Sequence, residues 1–369
     1  MDADSGFSNI AVIGLGLMGG SLALAVKQFT SDLEIIGVDY SEQLEKALSR
    51  RAIDRGFKPE DVDKAVKGSD LVVLATPISE ILKLVKKLPG LLREGTAVLD
   101  LGSTKKEICS LAERRFSKKD CFFFGGHPMT GAETSGMTGA HPLLYENSVF
   151  VLVEVGDSPG EVERSIEDFI KEIGSQPIRM SAEEHDRVVA RISHLPQLVS
   201  IALANSVGRG ENPDLFLDLS GGGLKDMTRI AASPYGMWED ILETNKRLIG
   251  REVDVFIEKL EELRKAIAID EVREHFQRAN SVRGKMPSGG KGLTSRTYRI
   301  AVMVPDRPGA LAELTSSLGE EGLNIKNIEL QKVREDYRGT FHVYFSTLDD
   351  AKLATSVLNE EDFEARVMD

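Results

Sequence analysis

The stretch NIAVIGLGLMGGSLALAV, residues 9–26, decides the fold of the first part of the chain. An apolar run leads directly into the glycine spacing Gly14-x-Gly16-x-x-Gly19, and an apolar helical segment follows. In this context Gly14 permits a tight turn, Gly16 lets the backbone approach a pyrophosphate, and Gly19 allows close packing of the helix against the strand. The stretch therefore predicts a dinucleotide-binding strand–turn–helix unit.

The next β-rich segment ends in a carboxylate. Asp39 closes the segment EIIGVD, lies 20 residues after Gly19, and is followed by Tyr40 and Ser41 rather than by an arginine. A carboxylate at this place accepts hydrogen bonds from ribose hydroxyls, and its charge repels a 2′-phosphate. The sequence thus predicts NAD, rather than NADP, as the cofactor.

Other residues are expected beside the same dinucleotide. Leu17 and Met18 open the helix after the glycines, where N–H groups without helical partners can face phosphate oxygens. Thr76 and Pro77 follow one apolar run, and Ser103 follows another. Because ligands of parallel sheets collect at the carboxyl ends of the strands, we expect these loops to surround the nicotinamide.

Short apolar runs alternate with helical segments throughout residues 1–180. Near-continuous apolar strands that alternate with helices are typical of a doubly wound, mostly parallel sheet. We therefore expect an α/β, Rossmann-type domain in this region. The predicted strands are residues 10–13, 34–39, 71–75, 96–100, 121–124 and 148–153.

Three further regions follow this domain. Residues 181–282 show helical spacing of apolar residues and predict an all-helical domain, which we interpret as a substrate and dimerisation domain. Its long helix begins near Pro234, and the apolar face of that helix packs either within this domain or against a second subunit. Residues 283–297 are glycine-rich and predict a linker. Residues 298–369 have a β-α-β-β-α-β pattern typical of a small ferredoxin-like domain. Its predicted strands are residues 298–304, 324–332, 339–345 and 363–367, and its predicted helices are residues 308–320 and 349–358.

Composition excludes several classes of function. The chain has 369 residues and a net charge of -13, which argues against nucleic acid or an anionic membrane as its partner. Its two cysteines imply no disulfide framework, and its six histidines lack the spacing of metal ligands, so we expect no metal site. The acidic start resembles no signal peptide, and no apolar run is long enough to span a bilayer. We therefore expect a cytoplasmic protein.

Four polar side chains, in three motifs, are candidates for the chemistry. His127, in GGHPMTGAETSG, is either a polar cap on a turn or a proton acceptor, since histidine exchanges protons near neutrality. His194, in SHLP, is by itself more typical of a hydrogen-bonded structural histidine. In GGGLKDMTRIA, Lys225 and Arg229 are either a solvated basic pair or an anchor for an anion, and an arginine fork suits a carboxylate.

Five motifs together resemble those of the prephenate dehydrogenase family, which includes arogenate dehydrogenases. They are GLGLMGGSLA, DLGSTK, GGHPMTGAETSG, SHLP and GGGLKDMTRIA, and the resemblance extends over residues 9–267 with the motifs in the same order. The segment DRPGALAELTSSLGEEGLNIKNIEL resembles an ACT domain, an amino-acid-sensing module. The resemblance implies NAD-linked oxidative decarboxylation of prephenate to 4-hydroxyphenylpyruvate, without a metal, by a homodimer.

The same resemblance implies a role for each residue that matches the family's motifs. His127 would take the proton of the ring hydroxyl, and Ser103 would orient that hydroxyl and the nicotinamide. Arg229 would pair with a substrate carboxylate. His194 would line the pocket, and Glu133 would gate its entrance.

One departure from the family leaves the substrate open. Gln197 stands where many prephenate-using members carry a second histidine, and a glutamine cannot carry a positive charge. Arogenate therefore remains an alternative substrate. Two further alternatives are a β-hydroxyacid dehydrogenase, which would need a lysine base that the first helix of the second domain lacks, and a non-catalytic sensor of NAD and amino acids.

The resemblance to ACT domains also implies regulation by an amino acid. Tyrosine, the end product of the pathway, is the expected effector. The N–H groups of Gly309, Ala310 and Leu311 are expected to hold its carboxylate at the start of a helix. Asn324 and Ile325, where a strand is predicted to begin, are expected to meet the effector's other groups.

Overall fold

The computed structural model describes residues 5–29, 33–117, 120–132, 134–209, 213–286, 297–334, 338–361 and 363–368. The chain divides into two units, Met1–Asp270 and Glu271–Asp369. No helix in the described ranges combines the length and the apolar character that crossing a membrane requires.

An eight-stranded sheet organises the first unit. Its strands lie in the order β3-β2-β1-β4-β5-β6-β7-β8. They are β1 (Asn9–Ile13), β2 (Glu34–Val38), β3 (Arg55–Phe57), β4 (Leu71–Leu74), β5 (Ala97–Asp100), β6 (Phe122–Pro128), β7 (Val149–Val155) and β8 (Gln176–Arg179). All neighbours are parallel except β6 and β7, which are antiparallel. The predicted doubly wound, mostly parallel sheet is confirmed.

Helices cover both faces of this sheet. They are α1 (Leu17–Phe29), α2 (Ser41–Ser49), α3 (Val62–Val66), α4 (Ile78–Lys87), α5 (Lys106–Phe116), α6 (Gly136–Gly139) and α7 (Gly160–Glu172). Alternation along β1 sends Ile10 and Val12 into one buried cluster and Ala11 and Ile13 into the other. Because every side chain of such a strand is buried, the strand is apolar at successive positions.

Strand β6 continues further than the sequence predicts. The predicted strand 121–124 ends before the glycines, whereas β6 runs on to Pro128 and pairs with β7. The glycines are needed because a Cβ on Gly126 would overlap the carbonyl oxygen of Asp100, and one on Gly125 would lie 2.6 Å from Sγ of Cys109. His127 therefore projects from a strand that is paired on one side, not from a loop.

Five helices form the rest of the first unit. They are α8 (Ala182–Val189), α9 (Leu195–Val207), α10 (Pro213–Asp218), α11 (Gly222–Thr228) and α12 (Tyr235–Ala268). Ser181 caps α8, since its hydroxyl accepts the N–H of Glu184. A π-helical turn, Ala190–His194, joins α8 to α9, and α12 begins directly after Pro234 as predicted.

The second unit contains α13 (Arg273–Lys285) and a four-stranded antiparallel sheet with two helices. Its elements are β9 (Tyr298–Pro305), α14 (Ala310–Glu320), β10 (Asn327–Arg334), β11 (Arg338–Phe345), α15 (Leu348–Glu360) and β12 (Glu364–Val367), and the sheet order is β10-β11-β9-β12. The predicted β-α-β-β-α-β domain is confirmed. Of the predicted linker 283–297, the first residues belong to α13, and residues 287–296 lie outside the described ranges.

Two boundaries in this domain differ from the prediction. Helix α14 begins at Ala310 rather than at residue 308, because Gly309 takes the left-handed conformation (φ 88°) and turns the chain at that point. Strand β10 begins at Asn327 rather than at Asn324. The N–H of Leu323 still bonds back to the preceding helix, so the chain is turning there.

Candidate active site

The glycine turn has the geometry that a dinucleotide requires. Gly14 has a φ of 95°, and a Cβ there would lie 2.6 Å from the carbonyl oxygen of Ala75. A Cβ on Gly19 would overlap the carbonyl oxygen of Gly14, so the helix can approach the turn only without one. A Cβ on Gly16 would meet nothing within 4 Å. The backbone at Gly16 is therefore open to a ligand.

Asp39 is tied to this turn by hydrogen bonds. Its Oδ2 accepts the N–H of Leu15 at 2.6 Å, and its Oδ1 accepts the N–H of Tyr40 at 2.7 Å. Each carboxylate oxygen has a second lone pair, so both can still accept a ribose hydroxyl. The two hydrogen bonds thus hold the carboxylate of Asp39 beside the glycine turn.

A cavity of about 520 Å³ opens beside the turn and Asp39. Its lining includes Gly14, Gly16, Asp39, Thr76 and Pro77. The Thr76 hydroxyl is buried and has no hydrogen-bond partner among the residues that the structure describes. An open glycine backbone, a carboxylate and an unpartnered hydroxyl fit a dinucleotide.

Four other predicted cofactor residues lie outside the lining of this cavity: Leu17, Met18, Gly19 and Ser103. The first two begin α1, and the Met18 carbonyl accepts the hydroxyl of Tyr145 at 2.9 Å. Ser103 is half-buried and lies between β5 and α5. Two residues close to it in the chain, Gly102 and Lys105, form hydrogen bonds that hold this loop to the sheet.

A buried ion pair supports the Ser103 loop and the strand of His127. Lys105 and Asp100 are both fully buried and form an ion pair. Nζ of Lys105 also donates to the carbonyl of Gly126 at 2.7 Å, and Oδ2 of Asp100 accepts the N–H of Gly102 at 2.8 Å. Buried charges are stable only when they are paired and hydrogen-bonded, and both conditions are met here.

His127 is the first member of a chain of three side chains. Its Nδ1 lies 2.8 Å from Nε2 of His185, and Nδ1 of His185 lies 2.8 Å from Oδ1 of Asp186. Burial lowers the pKa of His127 well below its ordinary value of 6.5, and the neighbouring His185 adds to this effect. His127 is therefore neutral at physiological pH and able to accept a proton.

The pKa shifts of His185 and Asp186, the other two members of this chain, leave His185 neutral and Asp186 ionised. Burial lowers the pKa of His185. Burial opposes ionisation of Asp186, but the hydrogen bonds from His185 and from the backbone N–H groups of Lys105 and Lys106 hold the pKa of that carboxyl below its ordinary value. A neutral histidine pair thus rests on an ionised carboxylate.

His194 lies in the same neighbourhood at the end of the π-helical turn. It is buried, its Nδ1 lies 3.3 Å from Nδ2 of Asn245, and its ring meets Trp238 edge to face with centroids 5.9 Å apart. Burial lowers the pKa of His194 to about 4, so it too is neutral. Asn245 also donates to the backbone carbonyl of Asp186 at 2.8 Å, which connects His194 to the group around His127.

The remaining predicted substrate residues differ in their placement. Gln197 is buried, and its Nε2 donates to the carbonyl of Ile230 at 2.9 Å, so its amide holds the backbone next to Arg229. Arg229 opens a 3₁₀ turn, Arg229–Ala232, and its side chain is exposed. Glu133 lies outside the described residues.

A second cavity, of about 300 Å³, lies in the second unit. Gly309, Ala310 and Leu311 line it, whereas Asn324 and Ile325 do not. Ile325 instead packs against the core of its domain. The N–H of Ala310 donates to the carbonyl of Arg307 at 3.3 Å, so one of the three N–H groups expected to meet an effector already has a partner.

Comparison with known proteins identifies the family. Family models match three consecutive parts of the chain: the nucleotide-binding domain of prephenate dehydrogenase over residues 22–179, the dimerization domain of prephenate dehydrogenase over residues 181–279, and the ACT domain over residues 298–357. A prephenate dehydrogenase of Bacillus subtilis strain 168 is 34% identical over 364 residues, which cover 97% of this chain and 96% of that protein.

Two solved structures resemble this chain over three quarters of its length. Prephenate dehydrogenase of Aquifex aeolicus, in complex with hydroxyphenyl propionate and NAD+, is 31% identical with a TM-score of 0.69, covering 75% of this chain and 96% of that one. Synechocystis arogenate dehydrogenase is 27% identical with a TM-score of 0.66, covering 75% of this chain and 99% of that one. The chain therefore belongs to the prephenate dehydrogenase family and carries a C-terminal ACT domain.

Proposed function

We propose that the chain catalyses the NAD-dependent oxidative decarboxylation of prephenate to 4-hydroxyphenylpyruvate, with His127 as the base. The observation that carries this proposal is the chain of His127, His185 and Asp186, in which a neutral imidazole is backed by a carboxylate. The family membership and the dinucleotide cavity beside Gly16 and Asp39 support it further.

The mechanism uses His127 twice. NAD⁺, when bound against Gly14, Gly16, Asp39 and Thr76, supplies the acceptor for the hydride of the ring carbon. As the hydride leaves, His127 accepts the proton of the hydroxyl on that carbon, which becomes a carbonyl. Loss of CO₂ then leaves its bonding electrons in the ring as a phenolate, to which His127 returns the proton. The protonation state of the enzyme is unchanged after each turnover.

The other residues position the substrate. We propose that Arg229 pairs with a carboxylate of the substrate, that Ser103 orients the hydroxyl, and that His194 lines the pocket as a neutral group. Gln197 supports the turn of Arg229 through the Ile230 carbonyl rather than by a charge of its own. Because aromatisation drives the reaction, the protein needs only to hold the reacting groups close together and to remove one proton.

Arogenate is the second candidate substrate. Arogenate carries an amino group in place of the side-chain keto oxygen. Gln197 is the observation that favours it, because an amide oxygen can accept a hydrogen bond from an ammonium group. A charged imidazolium at the same position would repel that group. The Nε2 donor of Gln197 is already used by Ile230, which leaves its oxygen as the acceptor.

We further propose feedback inhibition by tyrosine through the ACT domain. The cavity beside Gly309 and Leu311 is the proposed effector site, and it is also lined by the apolar side chains of Leu330 and Phe341. A helix start attracts a carboxylate, and the apolar wall suits an aromatic ring.

A homodimer in the cytoplasm is the proposed state of the enzyme. The match of residues 181–279 to a dimerization domain supports the dimer, and so does the large number of apolar side chains exposed in this region. They include Ile192, Leu215, Phe216, Leu219, Met237 and Leu260. Cys109 and Cys121 are both buried cysteines, as suits a reducing compartment. Molar mass in solution, measured by light scattering, tests the dimer.

The experiment that tests the activity is NADH formation at 340 nm with prephenate and with arogenate, each with NAD and with NADP. The proposal predicts the highest kcat/KM for prephenate with NAD. A higher kcat/KM for arogenate would reassign the substrate. Turnover of 3-hydroxyacids alone, or of none of these compounds, would refute the proposed function.

A further inference from the structure

We propose that Asp186 and His185 are positioning residues that fix the tautomer of His127, so that its Nε2 carries the lone pair that accepts the substrate proton. The inference rests on the proposed function for its catalytic consequence, whereas the tautomer itself is a property of the protein alone. Sequence motifs do not point to either residue, because both lie in the segment SAEEHDR, which is typical of the beginning of any capped helix.

The first step of the argument concerns Asp186, which can only accept hydrogen bonds. Its Oδ2 receives the N–H of Lys106 at 3.0 Å, and its Oδ1 receives the N–H of Lys105 at 2.7 Å. Nδ1 of His185 lies 2.8 Å from the same Oδ1. An ionised carboxylate has no proton to donate, so the proton of this contact lies on Nδ1 of His185.

The second step follows from the neutrality of His185. A neutral imidazole with a proton on Nδ1 has none on Nε2, so Nε2 of His185 is an acceptor. Its partner at 2.8 Å is Nδ1 of His127, which must therefore be the donor. Nε2 of His127 is then unprotonated, and it is the nitrogen that is free to act as the base.

The charged and titratable groups around the pair favour this arrangement. Lys105 and His194 face His127, and both disfavour a positive charge there, as does burial. Asp100 and Asp186 favour a charge on His185, but burial and Lys105 outweigh them. The resting pair is neutral, and Asp186 stabilises the positive charge that develops when His127 takes a proton.

Asp186 also connects the base to the predicted nicotinamide loop. The N–H groups of Lys105 and Lys106 that it accepts belong to the N-cap and the first residue of α5, two and three residues after Ser103. A carboxylate from α8 thus caps a helix of the sheet domain, where it also meets the positive end of the helix dipole. One side chain aligns Ser103 and His127 with each other.

The first test is spectroscopic and needs no substrate. Full-length protein with ¹⁵N-labelled histidine is compared by NMR with the His127→Asn variant, which assigns the His127 resonances. We expect wild-type His127 at pH 7.5 to carry its proton on Nδ1. A proton on Nε2 in the resting enzyme would overturn the proposal, whatever the enzyme's activity.

The second test compares two substitutions of His185. Gln offers an amide oxygen that can accept the N–H of His127, whereas Leu offers no acceptor. We expect His185→Leu to lower kcat by about 10²–10⁴-fold with little change in KM, and His185→Gln to retain at least about ten-fold more activity. Equal kcat values for the two variants, with wild-type thermal stability, would contradict the positioning role.

A third variant, Asp186→Asn, tests the carboxylate. Its amide has one oxygen for three converging donors, so it cannot hold both the helix start and His185. We expect kcat to fall by at least about ten-fold, and the fraction of His127 with its proton on Nδ1 to fall with it. Wild-type kcat in this variant would contradict the proposal. Absence of prephenate turnover in the wild type, with the expected tautomer present, would instead refute the proposed function alone.

Discussion

The ammonium group of Lys105 donates a hydrogen bond to the backbone carbonyl of Gly126, 2.7 Å away and one residue before His127. Because the same ammonium pairs with Asp100, a buried charge pair fixes the strand that carries the proposed base, His127. The strand has a glycine at this point, where a side chain would collide with the backbone of Asp100. The placement of His127 therefore depends on two charged side chains that are fully buried beneath it in the sheet domain.

Replacement of Lys105 by Met is expected to destabilise the protein strongly. The substitution leaves Asp100 buried without its partner, and removal of one member of a buried pair costs about 3–5 kcal/mol. The free energy of unfolding in urea measures this loss. The double variant Lys105→Met, Asp100→Leu is the control, and it should recover part of the stability because no unpaired charge remains. A loss below about 1 kcal/mol in the single variant would mean that the pair is solvated.

Replacement of Asp39 by Asn tests the choice of cofactor. The amide oxygen can keep the hydrogen bond from the N–H of Leu15, so the turn is retained while the negative charge is removed. We expect the Kd for NADP to fall and the Kd for NAD to rise, because the repulsion of the 2′-phosphate and one ribose contact are both weakened. Calorimetric titration of the two cofactors measures the change. A wild-type enzyme that prefers NADP would refute this account of Asp39.

Replacement of Arg229 by Ala tests the substrate anchor. Loss of a charge-assisted hydrogen bond costs about 1.5–3 kcal/mol, which corresponds to an increase in KM of about 10- to 150-fold. Lys225→Ala is the matched control, because Lys225 is an exposed cation one helical turn earlier, and KM should change less than about three-fold there. Equal effects of the two substitutions would indicate general electrostatic attraction rather than a specific anchor.

Replacement of Leu311 by Glu tests the regulatory cavity. Leu311 lines this cavity in the first turn of α14, so a carboxylate there would occupy the cavity and repel the carboxylate of an amino acid. We expect the tyrosine concentration for half-inhibition to rise by about ten-fold or more, with kcat unchanged. Leu353→Glu, at an exposed position on α15 outside the cavity, should leave the inhibition intact. Unaltered inhibition in the Leu311 variant would place tyrosine elsewhere.

The dinucleotide turn was predictable because its requirements are local. Gly14 and Gly19 each meet a steric demand that the neighbouring strand and helix impose, Gly16 leaves the backbone of the turn open, and Asp39 directly follows the next strand of the same unit. The order of domains follows from equally local patterns of apolar spacing. The long helix after Pro234 and the ferredoxin-like domain were found in this way.

The support of the base was not predictable from local patterns. His185 lies 58 residues after His127, and only the packing of α8 against the sheet domain brings them together. The available signal was weak: His185 and Val189 share the buried face of α8, so a polar residue occupies an inward position of an amphipathic helix. Strands β3 and β8 were missed because both are short and largely exposed, without an apolar run.

The central claim is that His127 accepts the hydroxyl proton, and the pH profile of kcat/KM for prephenate tests it most directly. Protonated His127 cannot accept a proton, so activity should fall only as the pH drops through its pKa, which burial places well below 6.5. His127→Asn should lower kcat/KM by about 10²–10⁴-fold and abolish this acidic limb. A His127→Asn enzyme with near-wild-type kcat/KM and the same acidic limb would contradict the account.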